Sequence, residues 1–135
     1  MITAVDSSIL FDVLLADQQY AGASLAALKD CRHAGGLVVC PVVWAEVRAA
    51  LREPENMSKL LGAAGIRFDS FDEKCADLAG EMWRRYRARG GKRDRIIPDF
   101  LVGAHARLRA ARLLSRDRGF YRGYFDGLEV IAPTM

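Results

Sequence analysis

Four carboxylates, Asp6, Glu46, Asp99 and Asp117, stand out by the places they occupy in the sequence. Asp6 stops the apolar run from Ile2 to Val5. Glu46 falls in the first turn or two of a helical stretch that follows a second apolar run. Asp99 opens another helical stretch, and Asp117 comes two residues after a run ending at Ser115. Taken singly, each has an ordinary role: Asp6 and Asp99 as helix N-caps, Glu46 as a solvated helix residue, Asp117 as a turn residue. Gathered in one place they would repel each other and raise their pKa values. Such a cluster calls for a hard cation, and carboxylate oxygens with water suit Mg²⁺ or Mn²⁺. One or two such ions acidify a bound water and stabilise charge on a scissile phosphate, without a histidine or a nucleophilic side chain. The sequence holds no Gly-x-Ser-x-Gly, no Walker A loop and no Gly-x-Gly-x-x-Gly after a strand, which removes the common acyl-transfer and nucleotide-binding alternatives.

The elements that must position these acids follow from apolar spacing. Strands are predicted at Ile2 to Val5, Leu37 to Cys40, Ile66 to Phe68, Leu113 to Ser115 and Leu128 to Ile131. Helices are predicted over Ser7 to Ala16, Ala21 to His33, Val42 to Arg52, closed by Pro54, and Asn56 to Ala64. A longer one runs to Arg89 from a capping box of Ser70 with Glu73, and the last covers Phe100 to Arg112. Strands alternating with helices predict a three-layer α/β/α sandwich around a mostly parallel sheet. Ligands of such sheets gather outside the carboxyl ends of the strands, and that is where the four acids fall.

The 135 residues suit one domain spanning the whole chain, 1–135. Three cysteines, Cys31, Cys40 and Cys75, with no Cys-x-x-Cys pair, exclude a disulfide framework and a zinc knuckle; they read as buried apolar residues. The N-terminus lacks the features of a signal peptide, and no apolar run approaches a membrane span, so a cytoplasmic protein with no membrane association is expected. The net charge of +3 is compatible with a polyanionic partner. Between Arg84 and Arg95 seven basic residues face one acid, Asp94. This stretch reads equally as a phosphate-contacting surface or as a solvated helix face and loop.

The chain resembles PIN domains, and most closely the VapC-type toxins of bacterial toxin–antitoxin pairs. The matching pieces are Val5-Asp6-Ser7-Ser8, Trp44-Ala45-Glu46-Val47, Ile97-Pro98-Asp99-Phe100 and Leu113-Leu114-Ser115-Arg116-Asp117, with Phe120 and the closing strand Leu128 to Ile131. Their order and spacing carry the likeness, which extends over essentially the whole chain. The resemblance implies a Mg²⁺- or Mn²⁺-dependent endoribonuclease. It also implies a cognate antitoxin that occludes the site and a homodimer built mainly from helices of the N-terminal half. By position, Asp6, Glu46 and Asp99 match the three core acids and Asp117 the fourth, all as catalytic metal ligands. Ser7 and Ser115 match a hydroxyl near the metal or its waters, with Ser115 in place of the more usual threonine. His105, in a stretch where small apolar residues are commoner, departs from the pattern.

Arg95, four residues before Asp99, and Arg116 and Arg118, which flank Asp117, are candidates to contact RNA phosphates or antitoxin carboxylates. Trp44 and Trp83 read as core or interface residues rather than stacking platforms. His33 reads as a residue at a helix C-terminus. His105 points away from Asp99 on a helix and reads as a core or surface histidine. Asp12, Asp69, Asp72 and Asp126 read as surface or capping acids, Asp126 being the substitute for Asp117. Two other functions were weighed. Phosphoryl transfer through Asp6 would want a second acid where Ser8 stands. A non-catalytic PIN-like scaffold, or a PIN nuclease acting in RNA processing outside a toxin–antitoxin pair, fits the same fold, but presence of all four acids argues against loss of catalysis.

Overall fold

The computed structural model describes residues 1–53 and 56–134; Pro54, expected to close a helix, lies outside them. The five expected strands form one sheet. They are β1 (Thr3–Val5), β2 (Leu37–Val39), β3 (Ile66–Phe68), β4 (Arg112–Leu114) and β5 (Glu129–Ile131), in the order β3-β2-β1-β4-β5. Every neighbouring pair is parallel. β1 and β2 are buried along their full length, as strands covered on both faces must be. The edge strands β3 and β5 carry the exposed residues Arg67, Phe68 and Glu129.

Between the strands run α1 (Ser7–Leu14), α2 (Ala21–Ala34), α3 (Pro41–Ala50), α4 (Met57–Ala63), α5 (Glu73–Ala88), α6 (Ile97–Arg109) and α7 (Arg118–Tyr124). The chain steps outward from β1 to β3, returns to β4 beside β1, and steps outward the other way. Right-handed crossovers then put the helices of the two halves on opposite faces, which makes the three layers. The order of the strands reverses between β1 and β4, and their carboxyl ends flank the crevice where such folds bind ligands.

Several element boundaries differ from the sequence reading, each for a local reason. α1 stops short of Ala16, whose φ of 52° lies in the left-handed region. α3 starts at Pro41, because a proline in the first turn is already set for a helix and loses no hydrogen bond there. α5 is capped by Asp72 rather than Ser70: the Asp72 carboxylate accepts from the Cys75 N–H at 3.2 Å. α6 runs three residues earlier than Phe100 to Arg112, since Pro98 fits its first turn and Ala110 is extended. That releases Arg112 to open β4 opposite Thr3.

α7 has no counterpart in the sequence reading. It is seven residues long and contains Gly119 and Gly123, so its own helix propensity is poor. Packing supports it instead. Phe120 and Tyr124 stack edge-on or tilted against Tyr86 and Phe100, with ring centroids 5.3–6.4 Å apart. Gly103 in α6 serves the same packing, because a Cβ there would lie 2.3 Å from the Phe125 ring.

Two ionic ties fasten the layers. Asp69, which follows β3, accepts from Arg109 of α6 at 2.9 and 3.2 Å and stands 2.8 Å from Nε2 of His105, which is 1% exposed. His105 is thus a core residue, and Asp69 is a clip rather than a free surface acid. Burial, more than Asp69 opposes, holds the His105 pKa below its ordinary value; the Arg109 hydrogen bond, with His105 assisting, lowers that of Asp69. Asp12, expected at the surface, is 2% exposed. It accepts from Ser24 Oγ at 2.6 Å and takes both arms of the Arg116 guanidinium, at 2.9 and 3.0 Å. Arg116 also lies 4.0 Å from the centre of the Tyr20 ring. The pair ties the turn after β4 to α1 and α2.

Both ties yield predictions. Unfolded chains protonate His105 at a higher pH than folded ones, so the folded state loses stability as pH falls through about 6.5. Asp69 adds to this at lower pH, where its depressed pKa is passed. In His105→Gln the fall in melting temperature between about pH 7 and 5 should become shallower; profiles running parallel to wild type would contradict a buried neutral imidazole. Arg116→Ala strands the Asp12 carboxylate inside the protein. With the guanidinium partly exposed, the expected loss is about 2–3 kcal/mol in urea unfolding. A loss below about 0.5 kcal/mol would place the pair among weak surface bridges.

Candidate active site

Asp6 follows β1 directly and caps α1. Its Oδ1 accepts from the Ser7 N–H at 2.8 Å, and its Oδ2 accepts from Ser115 Oγ at 2.7 Å and Ser8 Oγ at 3.4 Å. Ser115, fully buried at the end of β4, also accepts the Asp117 N–H on its Oγ at 2.9 Å. One hydroxyl therefore gives its proton to Asp6 and its lone pair to Asp117, joining the first and fourth acids across the strand reversal. The backbone runs in step, with the Asp6 N–H bonded to the Leu114 carbonyl at 3.0 Å.

Asp99 is the third residue of α6, not its N-cap. Its Oδ2 accepts from the Ile96 N–H at 3.0 Å, so the carboxylate closes the first turn from inside. Glu46 lies one turn into α3, on an exposed shoulder. Asp117 forms an ion pair with Arg95, whose guanidinium lies 4.3 Å from the centre of the Phe120 ring.

The electrostatics place all four acids in one field. The Asp6 pKa is raised, first by burial, against the lowering pull of Ser115 and Ser7, with Asp117 and Asp99 adding repulsion. Glu46 is raised by desolvation against the protein wall it leans on and by the charges of Asp6 and Asp99, with the Ser7 hydroxyl working the other way. The sequence reading missed two neighbours. Tyr121 in α7 is buried, and its hydroxyl pKa is pushed well up by burial and by Asp6, Asp99 and Asp117. Cys40 caps α3; burial chiefly, then Asp6 and Glu46, push its thiol up to about 11, which leaves it an inert thiol at neutral pH. Nothing in the sequence pointed to Tyr121, because α7 itself was not expected.

Among the described residues, no three or more His, Cys, Asp or Glu side chains stand close enough together to hold a metal ion as they are. The carboxylates of Asp6, Asp99 and Asp117 are each engaged by a donor of the protein. The donor chemistry, carboxylate oxygens throughout, is of the kind a hard cation takes. Mg²⁺ keeps several of its waters and needs only one or two carboxylates directly, so a wider acidic ring reaches the rest through water. Asp6 and Asp99 would hold such an ion and Glu46 would face its waters, while Asp117 carries the Arg95 guanidinium.

The other candidates separate clearly. Arg116 pairs with Asp12 while its guanidinium stays partly exposed. Arg118 is exposed at the start of α7. In the basic stretch, Arg84 and Arg85 bond Glu81, Arg87 lies over Trp83 and Arg89 over Tyr124. Trp44 is half-buried and meets Phe68 edge-on at 5.5 Å, as a packing residue. Asp126 offers its backbone carbonyl to Arg107 at 2.7 Å, and nothing recommends it over Asp117. An apolar groove lined by Leu10, Leu14, Leu25, Leu28, Leu60 and Ile66 lies apart from the acids and contains none of them. No helix of the described residues is long and apolar enough to cross a membrane.

No curated protein matches the sequence. Among solved structures, the chain is similar to one from VapBC2 of Rickettsia felis bound to a promoter DNA fragment. The two are 20% identical, with 99% of this chain and 100% of that one covered and a TM-score of 0.69. It is similar also to a chain of a toxin–antitoxin complex from Klebsiella pneumoniae, at 18% identity, 98% coverage of both chains and a TM-score of 0.68. VapC20 of Mycobacterium tuberculosis, a sarcin–ricin loop cleaving toxin, is similar at 15% identity, with 94% of this chain and 98% of that one covered and a TM-score of 0.58. The PIN domain profile matches residues 3–126, nearly the full length, and the chain therefore belongs to the PIN domain family.

Proposed function

We propose that this protein is a divalent-metal-dependent endoribonuclease and the toxin of a toxin–antitoxin pair. The observation that carries the nuclease reading is the Asp6–Ser115–Asp117 connection at the strand reversal, within the field of Asp99 and Glu46. Membership of the PIN family supports the same chemistry. The likeness of the fold to chains from toxin–antitoxin complexes supports the toxin role and a cognate antitoxin partner. The homodimer implied by the family resemblance and a cytoplasmic location belong to the same reading.

A bound Mg²⁺ or Mn²⁺ would supply an acidified water and charge stabilisation at the scissile phosphate. The chain's own groups do the rest. Asp6 presents a carboxylate already oriented by Ser115 and Ser7, so little reorganisation is needed when charge arrives. Glu46, with its raised pKa and open position, is suited to take at a carboxylate oxygen the proton that an attacking water gives up. Attack forms a bond from the water oxygen to phosphorus and breaks one bond from phosphorus to a ribose oxygen, which takes its proton from a solvent water. Arg118, exposed beside Asp117, is placed to meet a neighbouring phosphate.

The purified protein should cut RNA when Mg²⁺ or Mn²⁺ is supplied and stop when the metal is chelated. Asp6→Asn and Asp99→Asn should each lower the rate at least about a hundredfold, the scale on which one charge-stabilising group acts. Cleavage by both variants at the wild-type rate would sink the mechanism, and failure of the wild type to bind any divalent metal would favour a non-catalytic scaffold. For the toxin role, expression of the protein should arrest growth, and co-expression of a short reading frame immediately upstream should relieve the arrest.

A further inference from the structure

Arg95 stands in the segment between α5 and α6, four residues before Asp99. Its position is built. The Arg95 N–H bonds the Lys92 carbonyl at 3.5 Å, and the Tyr86 hydroxyl, inside the aromatic cluster, stands 2.6 Å from that carbonyl and 3.0 Å from the Asp94 carboxylate. The guanidinium lies over Phe120, whose ring is itself held by Phe100 at 5.3 Å and Tyr121 at 5.0 Å. From there Arg95 pairs with Asp117 and also feels the charges of Asp99 and Asp94. Asp117 in turn has its backbone fixed by Ser115, so only its carboxylate is free to choose a partner.

The four acids are not held alike. Asp6 and Asp99 are held by neutral donors, hydroxyls and backbone N–H groups, which add no positive charge that a metal ion must displace. Asp117 is held by a full cation. A guanidinium and a divalent ion on one carboxylate repel each other, and a fork seated on an aromatic ring is a persistent competitor.

We propose that Arg95 is the site's built-in counter-ion: it occupies Asp117 in place of a divalent cation, and Asp117 becomes a metal ligand only when Arg95 leaves it. This rests on the reading of the carboxylates as a metal site. It makes Arg95 a positioning residue that sets how many acids the first ion meets.

The test is Mn²⁺ binding by calorimetry on the purified full chain, with folding checked by circular dichroism. Arg95→Met keeps an unbranched, flexible stem, shorter than the guanidinium's reach, and removes the charge. It should tighten Mn²⁺ binding about tenfold or add a second equivalent. Adding Asp117→Asn to that variant should abolish the gain. In the otherwise wild-type chain, Asp117→Asn should leave Mn²⁺ affinity within about twofold, because Arg95 already holds that acid; this arm stands even if Arg95→Met does not fold. Unchanged binding in Arg95→Met, a gain that survives Asp117→Asn, or a tenfold loss in Asp117→Asn alone would each overturn the proposal. If wild-type binding is meanwhile lost in Asp6→Asn, the metal reading survives such a failure. No Mn²⁺ binding to either the wild type or Arg95→Met overturns both.

Discussion

Repulsion among four carboxylates in one crevice is the constraint around which this molecule is arranged. Three of the acids have a donor that restrains them: hydroxyls and an N–H for Asp6, the first turn of α6 for Asp99 and Arg95 for Asp117. None of these donors is local to all three. They come from the start of α1, the residue after β4 and the α5–α6 segment, so the sheet and the packed helices have to be right before the charges are tolerable. The short strands serve this end. Three residues each are enough to fix register, and register delivers Asp6 and Ser115 to adjacent strand ends.

The support beneath the acids is apolar and aromatic. Phe100, buried directly after Asp99, packs with Tyr86, Phe120 and Tyr124, and this cluster anchors α5, α6 and α7 to one another. The same rings carry Arg95. Packing and electrostatics are thus coupled at one place: the cluster that stabilises the second half of the fold also sets the direction from which positive charge reaches the site. On the opposite side of the turn, Asp12 and Arg116 do comparable work with a buried ion pair.

Much of this was legible in the amino-acid order. Apolar runs bounded by Asp, Pro and Gly marked all five strands, and the alternation with helices marked the layered fold. The four acids were visible because each follows a strand or opens a helix. The family likeness rested on motifs spread along the chain, and the PIN domain profile matches residues 3–126. What stayed hidden was whatever depends on tertiary contact. α7 has two glycines and no strong period, and only its packing makes it a helix. Asp12 looked like any helical surface acid, since its partner Arg116 is 104 residues away. His105 looked out of place until Asp69, 36 residues earlier, was seen beside it. Arg95 and Arg116 read as free cations because a sequence does not display which carboxylates have already claimed them.

The bond between Asp6 and Ser115 spans 109 residues, and β1 can pair with β4 only once Arg112 to Leu114 are present. A chain made from its N-terminus therefore carries Asp6 for most of its synthesis without the hydroxyl that orients it. The adjoining pair β1 and β2 closes a much shorter loop and can form well before. The constellation is in this sense time-stamped. Residues as far along as Ser115 and Asp117 must leave the ribosome before the acids meet, so a product that stops short of them leaves its carboxylates unassembled.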